Sequence, residues 1–421
     1  MTRKECALKK AVIVSAVRTP IGRYLGMLKE VPAYELGALV LKEAIQRAGL
    51  HPGQVDEVIL GQSYQNGEYV NIARMSLLKA GWPETVPGIT LDRRCCTGLD
   101  VICHAAMALQ SGHAEVVVAG GVESMSSAEF YLPGEIKWGI GGKKGMPRGH
   151  GDLSLWGIPL YDRIQRARVM SQPMERYGIL PTMMSWAETA ATEEGISREE
   201  CDRWALESHR KACQAMELGK FREEIVPVPV TQPKRGVSFL DQDETPRSDT
   251  TFEQLSKLPP VLGGVCTAGN SSSENDGAAA CVVMTEEKAE ALGIRPMASI
   301  RAFAVAGVDP RYTYKAVDLA VRKVLEKTGL KIEEFDLIEI QEAFAAQVLA
   351  DLKLLNLSEK DYSRINVNGS GISLGHPIAC TGTRVLVTLL HEMKRRGSRR
   401  GLESICGGGG LGIAAVFERP P

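Results

Sequence analysis

The stretch Leu39–Leu60, LVLKEAIQRAGLHPGQVDEVIL, returns 280 residues later as Leu319–Ile340, LAVRKVLEKTGLKIEEFDLIEI. Leu39 matches Leu319, Gly49 matches Gly329, Leu50 matches Leu330 and Asp56 matches Asp336, all at one offset. Each copy reads as an apolar-periodic helix, a glycine stop and an apolar strand. Any two amphipathic helices share some apolar positions by chance. An ordered series of matches through helix, stop and strand outweighs that. Cys96-Thr97-Gly98 and Cys380-Thr381-Gly382 echo each other at an offset of 284, and the Gly120-Gly121 turn resembles Gly407-Gly408. The chain therefore reads as two halves with the same order of elements. Such halves place equivalent helix N-termini near a shared interface, which brings Cys95 within reach of the turn holding His376.

Around the repeat, strands alternate with helices. Ala11–Val17, Val55–Leu60 and Glu115–Ala119 read as strands; Tyr34–Ala48, Val70–Ala80 and Leu99–Gln110 read as helices. This predicts an α/β fold with a mostly parallel sheet covered on both faces. Ser127–Gly264 has no counterpart in the second half. The expected division is residues 1–126 as the first core half, 127–264 as an inserted loop domain, 265–292 as a return to the first half, and 293–421 as the second half. The insertion opens with the irregular Gly/Lys-rich tract Trp138–Gly151. It continues in helical stretches at Thr182–Glu194 and Arg198–Leu218, and ends in the Pro-rich run Pro227–Pro260. A loop region this long is seldom idle.

The 421 residues suffice for two or three domains, and 44% hydrophobic with 24% charged residues is a globular profile. A net charge of −1 implies no global attraction to nucleic acid or to an anionic membrane. No apolar run approaches the roughly 20 residues of a membrane span. The N-terminus runs into the first strand without an apolar signal segment, so a cytoplasmic location is the expectation. None of the ten cysteines forms a Cys-x-x-Cys pair or stands at zinc-finger spacing from a histidine. Reduced thiols and no metal are expected.

The chemistry gathers on four stretches. Leu91–Leu99, LDRRCCTGL, places Cys95 where an extended run hands over to a helix. A helix N-terminus lowers a thiol's pKa and stabilises an anion, and Arg93 and Arg94 bring further positive charge. Alone, this stretch reads as a small buried residue beside an apolar helix. Asn366–Gly382, NVNGSGISLGHPIACTG, reverses that by setting His376 in a Gly-rich turn before another helix. Ser404–Gly412, SICGGGGLG, puts Cys406 at a strand end before four glycines, and Ile340–Ala345 reads IQEAFA. A nucleophilic Cys, a His to take its proton, a second Cys for proton transfer and a Gly-rich backbone suit thioester chemistry.

These stretches, with GGVESMS at Gly120–Ser126 and TAGNSS at Thr267–Ser272, resemble the thiolase family from about Ala11 to Phe417. The resemblance implies two related βα halves in α-β-α-β-α layers, with an inserted loop domain covering coenzyme A. It implies acyl transfer between CoA thioesters, by condensing two acetyl-CoA or by cleaving 3-ketoacyl-CoA, as in fatty acid metabolism and β-oxidation. Cys95 would take the acyl group, and His376 would remove its proton and face the thioester oxygen. Cys406 would move the α-proton, and the N–H groups of Cys95 and Gly408 would hold the acyl-enzyme oxygen. Met183, Ser272 and Phe344 match substrate positions. Among Lys143, Lys144, Arg148, Lys234, Arg235 and Arg247, the resemblance favours Arg247 for the CoA phosphates. Acyl-CoA and CoA are the expected partners, in a homodimer or homotetramer, with no cofactor besides CoA as substrate and product and with no nucleic acid.

The sequence departs from the family in places. Gln341 stands where an Asn orients a water in one oxyanion hole, one methylene further out. Thr182 aligns with a substrate-contacting His. Arg311–Tyr314 replaces a Gly-x-Gly-Pro segment of the acyl pocket, which opens the question of acyl length and branching. Two rivals share the fold: a condensing enzyme acting on acyl carrier protein, and a silent acyl-CoA-binding subunit of a β-oxidation complex. Cys406 in its Gly run favours thiolase over the first. Retention of Cys95, His376 and Cys406 argues against the second.

Overall fold

The computed structural model describes residues 9–134, 136, 159–232 and 236–420. Trp138–Gly151, Lys143, Lys144, Arg148, Lys234 and Arg235 lie outside the described residues. The first half supplies strands β1 (Ala11–Arg18), β2 (Glu57–Gly61), β3 (Gly88–Leu91), β4 (Val116–Ser124) and β5 (Asn275–Thr285). The second supplies β6 (Ala298–Gly307), β7 (Leu337–Ile340), β8 (Arg400–Gly407) and β9 (Leu411–Glu418). They form one path, β7-β8-β9-β6-β1-β5-β4-β2-β3. It narrows between the halves, where β6 meets β1 only through Val12 with Ser299 and Ile13 with Ala298.

The repeat is carried by the backbone in detail. Helix α1 (Ala33–Arg47) and α2 (Ile72–Lys79) cover the outer face of the first half, and α3 (Thr97–Gln110) covers its inner face. Gly49 after α1 and Gly329 after its counterpart in the second half both take φ 69°, the left-handed turn that glycine adopts without strain. Asp56 accepts the N–H groups of Glu115 and Val116 at 2.7 and 2.9 Å. Asp336 accepts those of Arg399 and Arg400 at 2.7 and 2.8 Å. Val58 of β2 pairs in parallel with Gly88 of β3, and Ile338 of β7 forms a parallel bridge to Ile365 at the equivalent place.

The mostly parallel expectation needs one correction. In each half the last strand, β5 or β9, runs against the others and sits between two of them. For β9 the cause is local: the Gly408–Gly410 turn folds the chain straight back, with Gly409 and Gly410 at φ 88° and 81°. A second correction concerns Gly120-Gly121, which is no turn. Both residues lie inside β4 and pair with Ala280 and Ala279. In the strand register Gly120 corresponds to Ser404, not to Gly407.

The insertion contributes α4 (Arg163–Val169), α5 (Met184–Glu194) and α6 (Arg198–Glu217), and the second half adds α7 (Lys315–Thr328), α8 (Ala345–Leu354) and α9 (Ile378–Arg396). Helices α7 and α8 cover the outer face of the second half, while α3 and α9 lie together between the halves, giving five layers. That middle layer buries Leu99, Ile102, Leu386, Leu390 and Phe417, each stabilising by roughly 1.5–3 kcal/mol. The two helices touch at Gly98 and Gly382, where a Cβ on Gly98 would lie 2.6 Å from Thr383 N and 2.7 Å from Ala379 O. The insertion is held down by two buried polar anchors. Arg18 bonds Asp243 at 2.7 and 2.9 Å and Glu224 at 2.7 Å. Glu342 accepts from Trp204, Ser208, Asn366 and Ile372. Removing one partner of the Arg18 cluster would strand a buried charge, a cost of about 3–5 kcal/mol. Among the described residues no helix is long and apolar enough to cross a membrane.

Candidate active site

β3 ends at Leu91 and α3 begins at Thr97, so Cys95 stands in the turn that delivers the chain to the helix. Thr97 Oγ1 accepts the Arg93 N–H at 2.6 Å, and Asp92 accepts the Arg94 N–H at 2.8 Å and the Ser63 hydroxyl at 2.8 Å. Arg94 takes φ 54°, uncommon for a side chain of this size, and the next residue is thereby turned into the cavity. Arg93 points elsewhere, donating to Asp100 at 2.8 Å. Arg94 is the arginine whose charge reaches Cys95.

The second half delivers the histidine. The His376 N–H donates to Asn275 Oδ1 at 2.8 Å, and Asn275 Nδ2 donates to Gly22 O and Thr245. His376 Nδ1 lies 2.7 Å from Thr381 Oγ1, one turn into α9. With the proton on Nδ1 and donated to Thr381, Nε2 is a base. Glu123, at the end of β4, accepts the N–H groups of Ser63, Tyr64 and Ala379. It thereby ties the wall beside Cys95 to the start of α9. Burial raises its carboxyl to about 7, against the pull of those three donors.

Cys95, His376, Cys406 and Gly408 line one cavity of about 570 Å³, together with Met183, Arg247, Ser272, Phe344 and Thr182. Met183 covers Gly408: a Cβ there would lie 2.9 Å from Met183 Sδ. Ser272 donates its N–H to Ala343 O at 2.9 Å, which holds it beside Phe344, itself edge-on to Trp186. Arg247 is exposed, its backbone N–H donating to His209 at 3.3 Å. Thr182 accepts the Met184 N–H at 2.8 Å at the start of α5. Two expected contributors are not brought to the wall. Gln341 is fully buried against Gly371, with neither amide atom hydrogen-bonded among the described residues. In the Arg311–Tyr314 segment, Arg311 pairs with Asp309 and the Tyr314 hydroxyl bonds Glu193 at 2.8 Å, outside the cavity lining.

The electrostatics correct one expectation. Burial pushes the Cys95 thiol up to about 11, outweighing the Gly408 N–H and the Arg94 charge that pull it down. Burial and the charges of Arg384 and Arg168 hold His376 down at about 3. Burial also sets the Cys406 thiol well above its usual range. The resting site is therefore a neutral thiol, a neutral imidazole and a second neutral thiol. Such a set can move a proton from sulfur to nitrogen as a bond forms, with N–H donors at hand for the charge that develops.

Sequence reasoning assigned no role to Glu123, Asn275, Thr381, Tyr64, Arg168 and Glu274. For Glu123 a signal existed: a carboxylate directly after the uncharged, valine-rich run Val116–Val122. Thr381 stands five residues after His376 in the same stretch, and the others depend on contacts across the fold.

Residues 11–287 match the family described as thiolase, N-terminal domain, and residues 294–419 match thiolase, C-terminal domain. The acetyl-CoA acetyltransferase of Syntrophomonas wolfei is 43% identical over 413 residues, covering 97% of this chain and 99% of that protein. The beta-ketoadipyl-CoA thiolase of Pseudomonas aeruginosa is 42% identical over 416 residues, covering 98% and 99%. Among solved structures, the Bacillus anthracis acetyl-CoA acetyltransferase superposes with TM-score 0.89 at 43% identity, covering 98% of this chain and 99% of that one. Human mitochondrial 3-ketoacyl-CoA thiolase does so with TM-score 0.89 at 35% identity, covering 99% and 100%. With both halves matched in order and nearly full length shared, the chain belongs to the thiolase family of acyltransferases.

Proposed function

We propose that this thiolase moves acyl groups between CoA thioesters by a ping-pong route through an acyl group on Cys95. The observation that carries the reading is the meeting of Cys95 from the first half with His376, Cys406 and the Gly408 N–H from the second, around one cavity. In the cleavage direction, His376 Nε2 takes the Cys95 proton as sulfur attacks the 3-keto carbon. The Cα–Cβ bond breaks, and the departing enolate of acetyl-CoA takes a proton from the Cys406 thiol. A CoA thiol then enters and returns that proton to Cys406. Its sulfur attacks the acyl-cysteine, and Cys95 leaves as a thiolate that recovers its proton from His376. The neutral Cys406 thiol holds the proton that the enolate takes. Condensation of two acetyl-CoA is the same path reversed. Arg247, exposed at the cavity, meets the CoA phosphates, and the scheme needs no resident cofactor. Relatives named acetyl-CoA acetyltransferase and 3-ketoacyl-CoA thiolase support acyl transfer between CoA thioesters, and a cytoplasmic location is part of this reading.

Acetyl-CoA incubated with the enzyme is expected to leave its acetyl group on the Cys95 peptide, and Cys95→Ala is expected to take none. A label on Cys96 overturns the assignment.

The enzyme works as a homo-oligomer in this reading. Strand β3 ends the sheet path, and Ile89 on it is 43% exposed, near exposed Val70, Met75 and Leu78 of the same edge. An unpaired apolar edge favours pairing with a second copy. Sedimentation is expected to give a dimer or tetramer; a stable monomer at micromolar concentration overturns it.

A further inference from the structure

One wall of the cavity carries charge that the acyl-transfer scheme does not use. Helix α4 of the insertion places Ala167 and Arg168 on that wall, Ser171 follows just beyond the helix, and Ser271–Glu274 of the core line the same cavity. Arg168 Nη2 donates to Glu274, and Nη1 donates to Gln165 at 3.2 Å. Both partners of the ion pair are about a quarter exposed, at 25% and 24%. Among the described residues two of the five guanidinium N–H donors are thereby engaged, which leaves three to meet a ligand.

The position of this pair matters. Glu274 adjoins the His376 turn through a backbone bridge, and the Arg168 charge acts on both His376 and Tyr64. Arg168 therefore stands near the reacting centre. The same cavity carries the apolar side chains of Met125, Ala167 and Ile378. A chain leaving Cys95 along this wall crosses apolar surface and then meets a fixed cation.

The two kinds of chain end differ in what they do there. An alkyl end would strip water from Arg168 and Glu274 and offer nothing in return, which costs free energy. A carboxylate end gains charge-assisted hydrogen bonds from the free N–H groups. Repulsion from Glu274 does not cancel this, because the cavity lining carries Arg23, Arg94, Arg168 and Arg247 against that single acid.

We propose that Arg168, held by Glu274, is a specificity-determining residue that selects 3-oxoacyl-CoA substrates whose acyl chain ends in a carboxylate. The proposal rests on the acyl-transfer reading above and names its substrate class.

The test compares thiolysis of a six-carbon 3-oxoacyl-CoA bearing a terminal carboxylate with that of its methyl-ended six-carbon counterpart. Wild type is expected to favour the carboxylate-ended substrate in kcat/KM by about tenfold or more, the worth of one hydrogen bond to a charged group. Arg168→Met is expected to bring the ratio near one, mainly through KM for the carboxylate-ended substrate. Arg168→Gln serves the same purpose if the Met variant does not fold. Arg168→Lys is expected to retain part of the preference. Equal rates in wild type, a methyl preference, or a preference that survives loss of the Arg168 charge would overturn the proposal. Wild type that cleaves neither substrate and takes no acetyl label on Cys95 overturns the acyl-transfer reading and this one with it.

Discussion

Thr97 and Thr381 occupy the same place in the two halves, 284 residues apart, and hold different partners. In the first half Thr97 Oγ1 takes the Arg93 N–H and lies 3.4 Å from Asp92. In the second, Thr381 Oγ1 lies 2.7 Å from His376, which stands where the first half has Asp92. The nucleophile shows the same relation reversed. Cys95 opens onto the cavity, while its counterpart Ala379 gives its N–H to Glu123. Cys406, at the end of β8, has Val122 as its counterpart in β4. The duplicated frame thus supplies two equal helix starts and two equal strand ends. The reaction needs one of each kind of group, so each half gives up a different position to chemistry and keeps the other for structure.

The largest expected effect tests the frame itself. Gly98→Ala and Gly382→Ala each drive a Cβ into the backbone of the opposing helix, where no side-chain rotation relieves it. Each variant is expected to lose about 3 kcal/mol or more, to a similar extent, in denaturant unfolding. A variant as stable as wild type would break the symmetric contact.

Next comes Cys406→Ala, which makes the second strand end as inert as the first. It is expected to keep acetylation of Cys95 by acetyl-CoA. Cleavage, condensation and deuterium exchange into the acetyl methyl group are expected to fall by about a hundredfold or more. Near-normal exchange would return Cys406 to the role its counterpart Val122 has, a small packed residue.

The smallest effect separates His376 from Glu123 by their opposite titrations. His376 is held at about 3, against 6.5 when unfolded. Between those values the unfolded chain binds more protons, so the stability from this group is present above pH 6.5 and is lost as pH falls. His376→Asn is expected to remove about 2 kcal/mol of the loss between pH 7.5 and pH 5. Glu123 is raised to about 7 from 4.5, so the folded chain binds more protons in that window and stability falls as pH rises through it. Glu123→Gln is expected to remove that opposite slope. Unfolding free energies at the two pH values check both signs.

Linear order is enough to read a duplication. The matches from Leu39 to Asp56 and from Leu319 to Asp336 lie within single helix–strand units, where residue spacing sets geometry directly. The same holds for the turns that carry Cys95, His376 and Cys406, because glycine and proline act on their immediate neighbours. The sequence therefore determined by itself the two halves, the family and the three groups at the cavity. What it left open depends on residues far apart in the chain. The reversal of β5 is decided by where the chain returns after the insertion. Arg168 meets Glu274 across 106 residues, and Glu123 meets Ala379 across 256. The burial of Gln341 against Gly371 and the raised Cys95 thiol follow from enclosure by the packed core. Only the tertiary structure decides these, because burial and electrostatic fields are sums over neighbours that no local spacing encodes.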